Sequence, residues 1–139
     1  MKKILTDTGP LVALLDRRDR YHEWAKTQVA GIDPPLYTCE AVLSEACFLL
    51  QKVPGGPQSV LDLVHRGLLV VAFSIQNEAS VLASLLMRYS NVPMALADAC
   101  MVRLAELNPG SLLLTIDSDF EIYRMHGRSP IPIVKPDEP

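Results

Sequence analysis

Apolar residues change their spacing repeatedly along the chain, and the changes mark alternating strands and helices. Residues 2–6 form a short β-type run. Thr8-Gly9-Pro10 then predicts a strand-to-helix junction, with Thr8 as N-cap, Pro10 in the first turn and a helix over 11–15. Asp19 is placed to cap a second helix that runs to residue 30, where Gly31 and Pro34-Pro35 end it. A brief strand at 36–38 precedes helices over 40–52 and 57–66, which Pro54-Gly55-Gly56 and Gly67 terminate. The unbroken apolar run 68–73 has strand length and the character of a strand buried on both faces. Ala79, Leu82, Leu85 and Leu86 recur at helical spacing within 77–89. A further helix spans 94–107, opened by Pro93 and ended by Asn108-Pro109-Gly110. The run 112–116 is a buried strand, and 131–134, bracketed by prolines, suits only an edge strand.

This alternation predicts an α/β fold, a three-layer α/β/α sandwich around a mostly parallel sheet. The chain has 139 residues, 49% of them hydrophobic, which suffices for one core. A single domain over 1–135 is expected, followed by a short tail at 136–139. No apolar run approaches the roughly 18 residues of a membrane helix, and Asp7 interrupts the N-terminal one at once. A soluble, cytoplasmic protein without membrane association is the expectation. The three cysteines, Cys39, Cys47 and Cys100, have neither CxxC nor zinc spacing, so they read as buried or half-buried thiols. His22, His65 and His126 are scattered without ligand spacing.

Candidate chemistry rests on four acids: Asp7 in LTDTG, Glu45 in VLSEACFLL, Asp98 in MALADACMV and Asp117 in LLTIDSDF. No Lys or Arg lies in those windows. A carboxylate in an apolar setting is costly to desolvate without a positive partner. Either each acid turns outward to water or they converge and share a cation. Asp7 and Asp117 directly follow predicted strands, and Glu45 and Asp98 lie early in predicted helices. In a parallel sheet the carboxyl ends of strands face the starts of helices, so the topology allows all four to meet. Taken singly, Asp7 could cap a helix, Asp98 could answer a helix dipole and Asp117 could close an Asx-turn. Glu45 has the weakest local explanation. Among neighbouring acids, Glu40 reads as a helix-dipole charge and Glu121, at capping-box spacing from Ser118, as structural. Asp119 is a cap or an outer metal contact. Asp16 and Asp19 flank Arg17-Arg18 and read as local ion-pair partners.

The net charge of −3 argues against a generally basic surface. Its positive charge is nevertheless uneven, with Arg17, Arg18 and Arg20 clustered after the first predicted strand and helix.

In these settings the chain resembles PIN-domain ribonucleases of the kind found as toxins in VapBC toxin–antitoxin pairs. The matching pieces are LTDTGPLVALLD, RRDRYHEWA, VLSEACFLL, ALADACMVRLAE and LLLTIDSDF, which span residues 5–120 in the family's order. The resemblance implies a PIN-like fold and places the family's acids on Asp7, Glu45, Asp98 and Asp117, with an assisting hydroxyl on Thr115 and further hydroxyls on Thr8 or Thr6. Crowded carboxylates require cations, and hard oxygen donors select Mg²⁺ or Mn²⁺. Asp7, Asp98 and Asp117 are the expected metal contacts, with Glu45 in or next to that set. One or two such ions would serve endonucleolytic hydrolysis of RNA, with Arg17, Arg18 and Arg20 as weaker phosphate contacts. The resemblance further implies a small DNA-binding antitoxin and a homodimer. Two other readings compete. One is a non-catalytic PIN-like module that holds RNA or protein. The other is a phosphohydrolase with a nucleophilic Asp, disfavoured because no Lys lies between Lys52 and Lys135.

Overall fold

The computed structural model describes residues 2–137, so the last two residues of the expected tail lie outside the described residues. Strand β1 (Ile4–Thr6) passes through Asp7 into helix α1 (Thr8–Leu15), and α2 (His22–Ala30) leads to β2 (Leu36–Thr38). Helices α3 (Glu40–Leu49) and α4 (Gly56–His65) precede β3 (Leu69–Val71). Helices α5 (Ile75–Arg88) and α6 (Leu96–Leu107) precede β4 (Leu112–Leu114). Beyond β4 come a 3-10 turn (Ser118–Glu121), a small hairpin of β5 (Arg124–Met125) and β6 (Ser129–Pro130), and finally β7 (Ile133–Val134).

The sheet has the order β3-β2-β1-β4-β7 and every pairing in it is parallel. Leu5 is in register with Tyr37 on one side and Leu113 on the other. Leu5 of the central strand is buried, and so are Leu113 and Leu114 of β4, as the continuous apolar run 112–116 anticipates. Strand β3, expected to be buried on both faces, is instead an edge strand with Leu69 buried and Val70 and Val71 half-buried, because no strand pairs beyond it. Chain order runs outward from β1 through β2 to β3, then returns to β1's other side with β4. The sheet therefore reverses its winding between β1 and β4, and the crevice beyond their carboxyl ends is where such a sheet binds ligands.

Helix α1 packs on α2 and α3, α3 on α4 and α6, and α5 on α6. Val42 and Ala46 of α3, Leu82 and Leu85 of α5, and an almost continuous buried face of α6 complete the core. No helix among the described residues is long and apolar enough to cross a membrane. Cys39 and Cys100 are buried and Cys47 is half-buried, all as free thiols. A hydrogen bond with the adjacent Cys100 thiol, and then burial, push the Cys39 thiol well above the ordinary range.

Several boundaries differ from expectation for local reasons. Asp7, not Thr8, occupies the N-cap position of α1, and its side chain does not cap. Asp19 closes a turn by accepting from the Tyr21 N–H at 2.8 Å, so α2 begins only at His22. Ser118 does not cap the 3-10 turn; Asp117 does, accepting from the Asp119 N–H at 2.9 Å. Glu121 instead meets the Lys135 ammonium at 3.2 Å. Helix α6 begins at Leu96, because Pro93 lies in the preceding turn. The expected ion pairs of Asp16 and Asp19 with the arginines are absent among the described residues. Asp16 accepts from the Arg18 backbone N–H at 2.9 Å, since a short acid reaches a backbone donor two residues on more readily than a mobile guanidinium. The hairpin was not anticipated at all: its strands have two residues each, too few to show a period.

Candidate active site

Asp7, Glu45, Asp98 and Asp117 line one open cleft of about 270 Å³ at the carboxyl ends of β1 and β4, together with Thr8, Gly9, Leu49 and Ile116. Asp7 arrives there because it is the residue after β1, and its N–H still pairs with the Leu114 carbonyl at 3.0 Å. Gly9 lets the start of α1 approach β4's exit, since a Cβ there would sit 3.2 Å from the Ile116 Cβ. Glu45 projects from the exposed side of α3 and Asp98 from the first turn of α6.

Thr115 ties two of the acids together. Its hydroxyl donates to Asp7 Oδ2 at 3.1 Å and accepts from the Asp117 N–H at 3.0 Å, and it is fully buried. Thr6 donates to the Asp7 backbone carbonyl rather than to the carboxylate. The Thr8 hydroxyl is buried and has no hydrogen-bond partner, although it lines the cleft. A buried hydroxyl without a partner is costly, and a bound water, ion or phosphate oxygen would relieve it. Asp119 supplies its N–H to Asp117 and stands outside the cleft lining.

Asp98 holds two duties. Its Oδ2 accepts from the Ala95 N–H at 3.0 Å, capping α6, and from the Tyr123 hydroxyl at 3.4 Å. No sequence pattern marks Tyr123 as part of the site. Its ring is fully buried, set edge-on against Tyr89 and Phe120 at 5.0 and 5.2 Å. A buried tyrosine hydroxyl seeks a partner, but nothing in the sequence shows that this one is buried.

The electrostatics of the cleft are uncompensated. Burial, first of all, raises the Asp7 carboxyl to about 7, and the nearby Asp98 and Asp117 charges push it further in that direction. Asp98 is also raised, by burial and then by Asp117 and Glu45, against the Ala95 and Tyr123 hydrogen bonds. No Lys, Arg, His or Cys lines the cleft. Among the described residues, no three acidic, histidine or cysteine side chains converge as they stand on one ion-binding point. The donor set is nonetheless all oxygen, negatively charged and mutually repelling, with an orphaned hydroxyl beside it. Those properties fit a hard divalent cation.

Arg17 and Arg18 lie outside this cleft, on a neighbouring depression, and Arg20 stacks over the Tyr21 ring at 5.2 Å.

A family model described as PIN domain matches residues 4–124. Comparison of the sequence with curated proteins finds no match. Among solved structures, the sarcin–ricin loop cleaving toxin VapC20 of Mycobacterium tuberculosis is similar, with a TM-score of 0.72 and 21% identity over 86% of this chain and 94% of that one. VapBC2 of Rickettsia felis, solved bound to a promoter DNA fragment, is similar with a TM-score of 0.63 and 15% identity over 96% and 98%. At these identities the likeness carries the fold alone.

Proposed function

The chain belongs to the PIN domain family, and on that premise we propose that it is a Mg²⁺- or Mn²⁺-dependent endoribonuclease, the toxin of a VapBC-type pair. The observation that carries this reading is a cleft at the β1/β4 switch point lined by Asp7, Glu45, Asp98 and Asp117 with no cationic side chain. Such a set is wasteful as structure, because burial raises Asp7 to about 7 with nothing to repay it. Asp7, Asp98 and Asp117 would hold the ion, and Glu45, on the exposed rim, would orient and deprotonate the attacking water. Thr115 keeps the Asp7 carboxylate and the Asp117 loop in one arrangement. The Thr8 hydroxyl is free to meet a water or phosphate oxygen, and Asp119 stands ready as an outer contact. When bound, the ion supplies charge neutralisation at the phosphodiester and acidifies water.

A small antitoxin, a PIN homodimer and a cytoplasmic setting extend the same proposal, the antitoxin in line with the pair named for VapBC2. Purified protein is expected to cut RNA with Mn²⁺ or Mg²⁺, to stop in EDTA, and to lose about 100-fold or more of its rate as Asp98→Asn. A folded Asp98→Asn protein that cuts RNA at the wild-type rate overturns the assignment. RNA binding without metal uptake by calorimetry and without cleavage would favour a non-catalytic PIN-like module. Growth arrest on expression, relieved by co-expressing the preceding reading frame, tests the antitoxin.

A further inference from the structure

Beside the acid cleft lies a second depression of about 750 Å³. Leu49, 53% exposed at the end of α3, lines both of them, so the two adjoin. Arg17 and Arg18, from the loop after α1, and Lys52, from the turn after α3, line this second depression. Packing of α1 against α3 brings the two segments together. All three cations are exposed, and among the described residues none meets an acid at ion-pair distance. The one acid on the lining, Asp16, accepts from the Arg18 backbone N–H. Val53 and Pro54 supply apolar wall, and no aromatic ring is present on which a base could stack.

A polyanion approaching four carboxylates is repelled, and adjoining cations offset that repulsion and fix the direction of approach. We propose that this groove binds the sugar–phosphate backbone of the RNA on one side of the cut, with Arg17, Arg18 and Lys52 meeting phosphates and Arg20, which sits over Tyr21, taking no part. The proposal rests on the nuclease reading of the adjoining cleft. Contacts of this kind position the strand without reading its bases, so this side of the substrate is bound with little sequence preference.

The test is fluorescence anisotropy with a labelled single-stranded oligoribonucleotide and Mg²⁺, all proteins carrying Asp98→Asn so that the probe stays intact. Adding R17Q, R18Q and K52Q together is expected to weaken binding about tenfold and to lower the slope of log Kd against log salt by about 2 between roughly 50 and 200 mM KCl, as the loss of three single-strand phosphate contacts requires. Adding R20Q changes neither. Unchanged affinity and slope in the triple variant overturn the groove while leaving the nuclease reading intact, and an equal effect from R20Q also overturns it. A protein that binds no RNA overturns groove and substrate class together, whereas probe cleavage by Asp98→Asn at the wild-type rate overturns the reading of the acid site. Circular dichroism confirms folding, since none of the exchanged side chains is buried.

Discussion

Two acid clusters on this molecule make an instructive pair. On the α5/α6 side, Glu78 and Glu106 flank Arg103, whose Nε lies 2.7 Å from Glu78 and whose Nη1 lies 3.1 Å from Glu106. The second Glu106 oxygen accepts from the His126 N–H at 2.6 Å. Every charge there has an answer, and the two carboxylates raise the Arg103 pKa. At the β1/β4 edge, Asp7 is buried to a similar degree as Glu106, yet it faces other acids and no cation. Burial alone therefore does not mark a functional group. A buried acid with its counter-charge in place is part of the framework. One without it is waiting for something the chain does not supply.

Substitutions should separate the two clusters by the sign of their effect. Arg103→Met is expected to destabilise the fold by about 3 kcal/mol in urea unfolding, because it strands Glu106 as a buried, unpaired charge. An Arg103→Met protein as stable as wild type would remove the distinction. Asp7→Asn should do the opposite without metal, raising stability by roughly 2 kcal/mol at pH 8 while removing RNA cleavage.

That gain depends on pH in a definite direction. The Asp7 carboxyl has an ordinary value of 3.8 and is raised to about 7 in the fold. Between these values the folded state binds the extra proton, so the Asp7 contribution is most favourable below pH 3.8 and is lost as pH rises through about 7. The difference between Asp7→Asn and wild type should accordingly shrink towards zero near pH 4. A difference independent of pH would show that Asp7 is not the strained group. The smallest effect is expected from Tyr123→Phe. Its hydroxyl donates to Asp98 across 3.4 Å, so its loss should cost about 1 kcal/mol or less. It should also move the alkaline-rising limb of the pH–rate profile upward, since Asp98 loses a hydrogen bond that favours its charged form. A lowered rate with an unmoved profile would make Tyr123 a packing residue only.

Much of the architecture was legible because it is written in local patterns. The apolar run at β4 has the length and continuity of a doubly covered parallel strand, whereas α5, read from 77, starts at Ile75 behind its N-cap Ser74, which accepts from the Asn77 N–H at 3.2 Å. The hairpin 124–130 escaped because a two-residue strand has no period. Thr8 stands one residue inside the helix start it was expected to cap, since Asp7 and Thr8 are both favoured N-cap types and only the backbone shows which residue leaves the helix. The ion pairs expected around Arg17-Arg18 failed because Asp16 and Asp19 had nearer partners in their own backbone.

The candidate site divides in the same way. From its sequence alone, the chain determined that Asp7, Glu45, Asp98 and Asp117 sit in apolar surroundings without a basic neighbour, and that strand ends and helix starts carry them. Those are properties of neighbours along the chain. Only the tertiary structure decided that the four acids line one cleft, that Thr115 bridges Asp7 and Asp117, that Tyr123 reaches Asp98, and that Lys52 joins Arg17 and Arg18 rather than Arg20. Each of these pairs elements remote in sequence, and the parallel winding of the sheet, which reverses between β1 and β4, is what brings them to one edge.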